Sequence, residues 1–182
     1  MSDLPRLVQI ARSQYHGVQG EKISHMYYDL LDKIQKSFRK KDVRSLLNYC
    51  SLSLPLLELF VNYWKKQPGG FGIQSIPAIE LGCRFFAITG ARGQLLNIQA
   101  LVDYVAELRS WEEVVDNAFG MLNVANTIRE HVAANPGFKQ NKLKSALGYP
   151  NARELSYIVR DMQDAGILER KKSGNTYELY AQ

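Results

Sequence analysis

The last third of the chain most constrains the fold, because its apolar spacing changes there from a helical to a strand period. The apolar residues of 152–165 lie three and four positions apart, at Leu155, Ile158, Val159 and Met162. This spacing predicts a helix with one buried face. Gly166 ends the pattern, and residues 167–170 and 176–180 then alternate as two short strands do.

Two further helices are predicted ahead of this one. Residues 119–134 carry an apolar stripe that stops at Asn135-Pro136-Gly137, and residues 139–147 predict a short second helix. Asn151 is a suitable N-cap for the third helix, with Glu154 three positions on. Residues 171–175 predict the tip of the hairpin, since Gly174 and Asn175 tolerate positive φ angles.

Several short runs in this region together carry a family resemblance. They are Asn135-Pro136-Gly137-Phe138, Leu143, Leu147-Gly148, Leu155-Ser156-Tyr157-Ile158-Val159-Arg160-Asp161-Met162 and Gly166-Ile167-Leu168-Glu169-Arg170. The stretch resembles winged-helix regulators of the MarR and ArsR type. The resemblance implies a winged helix-turn-helix domain over residues 118–182, with a two-stranded wing.

Residues 1–117 are predicted to be all-helical, as antiparallel pairs joined by short turns. Residues 37–47 and 87–96 each show an aromatic-rich helix that breaks and resumes with a pair of leucines. These pairs resemble tetratricopeptide hairpins, although their offset of about fifty residues differs from that family's period of about 34. The predicted fold class is therefore mainly α, with an N-terminal helical-hairpin bundle followed by the C-terminal winged helix-turn-helix.

Helix boundaries in residues 1–117 are predicted from capping residues. The predicted N-caps are Ser24, Asp42, Ser75 and Ser110. Pro55 is expected to start a new turn or to kink its helix. The run Gln67-Pro68-Gly69-Gly70-Phe71-Gly72 predicts a loop.

A nucleic-acid interface follows from the helical spacing of residues 152–165. If the apolar residues face the core, the opposite face carries Arg153, Ser156, Tyr157 and Arg160. In helix-turn-helix proteins that face enters the major groove. Five lysines suit contacts with phosphate, on the second helix and on the wing: Lys139, Lys142, Lys144, Lys171 and Lys172. Double-stranded DNA is the predicted partner.

Charge alone argues weakly for this partner. The chain carries +5, of which residues 119–182 account for +3, a mild excess for a duplex-binding domain. Lys171 and Lys172 also suit a solvated turn, and Arg153 and Arg160 have Glu154, Asp161 and Asp164 as alternative partners. The basic cluster of residues 36–44 is interpreted mainly as the solvated end of a helical hairpin.

Other classes of function find little support in the sequence. Cys50 and Cys83 are far apart and the three histidines are scattered, so neither a metal site nor a disulfide framework is predicted. The glycine-rich segments lack the neighbours that phosphate-binding loops require. We expect no catalytic residues and no cofactor. The N-terminus Met1-Ser2-Asp3-Leu4-Pro5-Arg6 lacks a signal-peptide order and no apolar run suits a membrane, so cytoplasmic localisation is expected.

Two hypotheses about function follow. In the first, the chain is a DNA-binding transcriptional regulator whose helical region oligomerises or receives a protein or ligand signal. In the second, it is a scaffold or adaptor in which the winged helix contacts proteins, as in PCI-type assembly modules, which share this architecture. A continuous basic face across Lys142, Arg153, Arg160 and Lys171 favours the first hypothesis. A neutral or covered face favours the second.

Overall fold

A computed structural model of the chain describes residues 4–70, 72 and 75–182. Its α-helices are α1 Arg6–Gln14, α2 Gly20–Arg39, α3 Val43–Trp64, α4 Pro77–Thr89, α5 Arg92–Tyr104, α6 Glu112–Ala134, α7 Leu143–Leu147 and α8 Ala152–Asp164. Short 3-10 helices cover Ala106–Trp111 and Gln140–Lys142. The strands are β1 Phe138–Lys139, β2 Leu168–Ser173 and β3 Thr176–Ala181. The predicted fold class is confirmed at this level: the protein is mainly α, with packed N-terminal helices and C-terminal helices beside a small antiparallel sheet.

The N-terminal helices pack around α3, which contacts α1, α2 and α4. The α2–α3 hairpin has an aromatic centre, where the rings of Tyr27 and Phe60 lie 4.3 Å apart and both side chains are buried. Helix α6 packs along α4 and α5 and continues toward the sheet. One buried apolar cluster runs from Leu7 to Leu179, so the sheet and α8 share a core with the N-terminal helices.

The predicted start of α2 at Ser24 is wrong. The helix begins at Gly20, so Ser24 lies inside it, where it is buried and its hydroxyl accepts a hydrogen bond from Trp64 Nε1 at 3.1 Å. The helix can begin this close to α3 because residue 20 is glycine. A Cβ at that position would overlap the ring of Tyr63. A tertiary contact with α3, rather than a local cap, sets this helix boundary.

Two of the other three predicted caps are also wrong. Asp42 is the N-cap of α3, as predicted, and accepts from the Ser45 amide at 3.0 Å. Helix α4 instead begins after Ile76, whose amide donates to Glu80 Oε1 at 3.1 Å. Ser110 lies in a 3-10 helix and the N-cap of α6 is Trp111.

Helix α3 runs through Pro55 without interruption, so no new helix begins there. Proline removes one amide donor from a helix interior. The neighbouring Leu54, Leu56 and Leu57 are all fully buried. Burial on this scale, at about 25 cal/mol per Å² of apolar surface, outweighs the loss of one helical hydrogen bond.

In the predicted loop, residues 67–70 and 72 lie outside helices and strands. Phe71 lies outside the described residues, as do Met1-Ser2-Asp3.

The C-terminal module, residues 135–182, differs from the prediction in three places. Helix α6 spans 23 residues and crosses the predicted boundary at 117/118, so one continuous helix joins the two regions, and their division into domains remains a prediction. Lys139 lies on strand β1 rather than on the second helix. The sheet consequently has three strands, in the order β1-β3-β2, rather than two.

Lys171 and Lys172 lie within strand β2, not at the hairpin tip as predicted. The register pairs Lys171 with Glu178 and Lys172 with Tyr177, and only Gly174 and Asn175 connect the strands. Gly174 adopts φ 58°, which makes this short connection available. The strands thus extend farther toward the tip than their apolar pattern alone indicates.

In the part of the chain that the structure describes, no helix has the length and apolar character needed to cross a membrane.

Candidate nucleic-acid interface

Helix α8 is held at its start by its cap and along one side by the core. Asn151 accepts hydrogen bonds from the amides of Arg153 and Glu154, each at 3.1 Å, as predicted. The predicted inner face is buried: Leu155, Ile158, Val159 and Met162. Because α8 is amphipathic, this burial fixes which side chains remain outside.

The outer face of α8 is exposed and carries a compact cationic–aromatic group. Tyr157 is 43% exposed and its ring lies between two guanidinium groups, 5.7 Å from that of Arg153 and 5.8 Å from that of Arg160. Arg153 Nε also donates to the Tyr157 hydroxyl at 2.9 Å. Both arginines are exposed. The structure therefore brings three of the four predicted α8 residues together in one surface group, which orders the arginines while leaving them accessible.

The fourth residue, Ser156, is half-buried in a polar network that the sequence did not indicate. Gln140 Nε2 donates to Ser156 Oγ at 3.3 Å, and Arg170 Nε donates to Gln140 Oε1 at 3.1 Å. Arg170 also stacks on Tyr177, with the guanidinium 4.0 Å from the ring centroid. This network joins α8 to strand β2 and fixes the position of the wing against the helix.

A cleft of about 410 Å³ lies where α7, α8 and the hairpin meet. Of the predicted site residues, Lys144, Ser156 and Arg160 line it. Gln140, Arg170 and Tyr177 also line it and were missed. Strand alternation could have predicted the position of Arg170. A residue two positions after Leu168 lies on the same side of the sheet, and Leu168 faces the core. The cleft offers hydrogen-bond donors on both walls, from the helix and from the wing.

The sheet separates the predicted lysines. Lys139 and Lys171 both lie opposite Glu178 in the register, on the face away from Leu179. Lys171 Nζ is also 3.4 Å from Glu169 and 4.6 Å from the ring centre of Tyr180. Lys172 pairs with Tyr177 and shares the face that borders the cleft. Lys142 is exposed at the end of the 3-10 helix. The basic face is therefore not continuous through Lys171, because two glutamates balance that side of the sheet.

The acidic residues near α8 are bonded to partners other than its arginines. Asp161 accepts two hydrogen bonds from Arg84 of α4, each at 2.8 Å, and Asp164 lies 3.2 Å from Lys41 Nζ. Glu154 lies near Tyr149, whose pKa is raised by burial and by this carboxylate. Burial raises the pKa of Asp161 above its ordinary value, while the bonds from Arg84 lower it in part. Within residues 4–70, 72 and 75–182, no carboxylate lies within ion-pair distance of Arg153 or Arg160.

The two cysteines and the acidic side chains offer no comparable site. Burial raises the pKa of Cys50 and that of Cys83 to about 12, so both thiols stay protonated near neutral pH. Among the described residues, no group of three or more His, Cys, Asp or Glu side chains is arranged to hold a metal ion. The face formed by α8 and the wing is thus the strongest candidate for a functional surface.

The chain matches no protein-family model, no curated protein and no solved structure. Inference about function therefore depends on the residues and on their arrangement alone.

Proposed function

We propose that the C-terminal module is a winged helix that binds double-stranded DNA, with α8 as its recognition helix. The observation that carries this proposal is the outer face of α8, where Arg153 and Arg160 are exposed while Asp161 and Asp164 are paired with cations of the N-terminal helices. Asp161 and Asp164 therefore point away from the predicted groove face. A helix of this kind meets the major groove with its first turns, where Arg153 is the donor for a guanine edge.

The wing and α7 supply the phosphate contacts in this proposal. Lys144 lines the cleft beside α8, Lys172 lies opposite Tyr177 on the sheet face that borders it, and Lys142 lies just ahead of α7. Lys139 and Lys171 have a weaker role, since each lies opposite Glu178. We further propose that the protein is a transcriptional regulator, and that its tetratricopeptide-like N-terminal helices oligomerise or receive a signal from a protein or ligand.

Titration of a labelled random duplex of about 20 base pairs, followed by fluorescence anisotropy, tests the proposal. Affinity should be measurable at about 50 mM salt and fall steeply as salt rises, because each neutralised phosphate contributes about −0.9 to the log–log slope. The variant Arg153→Gln/Arg160→Gln should bind at least tenfold more weakly. The control Arg6→Gln/Lys22→Gln removes the same charge from exposed residues of α1 and α2. No binding by the wild type at about 50 mM salt would contradict the proposal.

A second function, docking of a protein partner, is favoured by the interruption of the basic face at Lys171 and by two exposed aromatic side chains. Tyr157 and Tyr177 are exposed large aromatic side chains on or beside the same cleft, and both stack with arginine. Tyrosine and arginine are enriched at protein interfaces. If the protein is a scaffold or adaptor, the wild type will not bind duplex even at low salt. The two double variants will then not differ from the wild type in the anisotropy titration.

A further inference from the structure

A second basic surface lies next to α8, although it comes from the first quarter of the sequence. It is the end of the α2–α3 hairpin, here termed the basic hairpin end: Lys36, Arg39, Lys40, Lys41 and Arg44, all exposed. Arg39 and Lys41 line a second cleft, of about 320 Å³, together with Arg160 of α8. Arg160 also lines the cleft beside the wing. This arginine therefore joins the predicted recognition face to the basic hairpin end.

One ion pair joins the hairpin end to α8, and a second ion pair joins α8 to the neighbouring helix α4. Lys41 bonds Asp164, and Arg84 bonds Asp161 one helical turn earlier, with both carboxylates on the side of α8 that faces the N-terminal helices. Lys41 adopts φ 58°, a conformation that glycine reaches at lower cost. The ammonium group at this turn makes a contact with Asp164 that glycine would not supply. The two basic surfaces therefore keep a fixed relative position.

The charge of the hairpin end is only partly balanced. Asp32 pairs with Lys36, and Asp164 pairs with Lys41. The carboxylate of Asp42 caps α3, and its pKa is lowered by the bond from Ser45 and, to a lesser degree, by the nearby charges of Arg44 and Lys40. No described carboxylate lies within ion-pair distance of the three remaining cations, Arg39, Lys40 and Arg44. Such a concentration of exposed positive charge is complementary to a polyanion.

We propose that the basic hairpin end is part of the nucleic-acid interface, and that Arg39, Lys40 and Arg44 contact the phosphate backbone of the same duplex that α8 enters. This inference rests on the proposed function of α8. It assigns the N-terminal helices a direct role in binding, in addition to any role in oligomerisation or signalling. A duplex carries two strands of closely spaced phosphates, so a protein surface beside the recognition helix meets the flanking backbone.

The test uses the full chain and the variant Arg39→Gln/Lys40→Gln/Arg44→Gln, which leaves Lys41 and its bond to Asp164 in place. The probe is a random duplex of about 30 base pairs, long enough to extend beyond the site of one recognition helix. The log–log dependence of affinity on salt should become shallower by up to about 2.7, since each lost phosphate contact removes about 0.9. Affinity at about 100 mM salt should fall at least tenfold.

The matched control is Arg6→Gln/Lys22→Gln/Lys66→Gln, which removes the same net charge from exposed residues of α1 and from the opposite end of the α2–α3 hairpin. It should retain the wild-type slope. Circular dichroism of all variants verifies folding. If the wild type binds duplex but the hairpin variant behaves as this control does, the present inference is wrong and the proposed function stands. If the wild type does not bind duplex, both are wrong.

Discussion

The two faces of α8 differ in how their residues are held, and the difference separates stability from recognition. The inner face packs Leu155, Ile158, Val159 and Met162 into the core and bonds Asp161 to Arg84. On the outer face Arg153, Tyr157 and Arg160 contact one another, and among the described residues no carboxylate lies within ion-pair distance of either arginine. A helix anchored so firmly on one side can expose cations on the other without losing its position. Variants on the two faces should therefore affect different measurements.

The largest effect is expected from the inner face. Ile158→Ala removes a side chain that is 2% exposed, and truncations of this kind cost about 2–5 kcal/mol of unfolding free energy. Urea denaturation followed by circular dichroism measures the loss. Tyr157→Ala, one residue earlier on the exposed face, should cost less, about 1 kcal/mol, because it removes only exposed cation–π contacts and one exposed hydrogen bond. Equal losses for the two variants would show that the faces do not differ as described.

The second-largest effect, also on the unfolding free energy, is expected at the contact between α8 and α4. Asp161→Ala removes the acceptor for two hydrogen bonds from Arg84, and hydrogen bonds to charged groups contribute about 1.5–3 kcal/mol. The unfolding free energy should fall by about that amount. Arg84→Ala and the double variant complete a mutant cycle, and a coupling energy below about 0.5 kcal/mol would contradict a stabilising role for this pair.

How much of this contrast the sequence predicts depends on the range of the interactions. The inner face of α8 and the cap at Asn151 were predicted, because apolar spacing and capping are local properties. The partner of Asp161 was not, since Arg84 is 77 residues away in the sequence and no local pattern links them. The buried Ser24 was mistaken for a cap for the same reason, its bond to Trp64 spanning 40 residues. Strand β1, only two residues long, carries no periodicity from which it could be predicted.

The wing allows a sharper form of the same comparison, because two adjacent lysines lie on opposite faces of strand β2. Under the proposed function, Lys172→Gln removes one phosphate contact. At about 100 mM salt, a slope change of about 0.9 corresponds to about an eightfold loss of duplex affinity. Lys171→Gln should have almost no effect, since Glu169 and Glu178 already balance that charge. Anisotropy titration of both variants measures the difference, and equal losses would show that strand alternation does not determine which lysine contacts the duplex.

The smallest effect is expected at Tyr157, where the contribution to binding is indirect. Its ring lies within 6 Å of both guanidinium groups, and an exposed cation–π contact contributes about 0.5–1 kcal/mol. Tyr157→Ala should therefore weaken duplex binding by about twofold to fivefold, because the arginines lose the surface that orders them. Tyr157→Phe keeps the ring and removes only the hydroxyl that accepts from Arg153, so its loss should be smaller. A loss for the phenylalanine variant as large as that for the alanine variant would mean that the hydroxyl itself contacts the duplex. In that case Tyr157 would belong with Arg153 and Arg160 among the residues that read the nucleic acid, rather than support them.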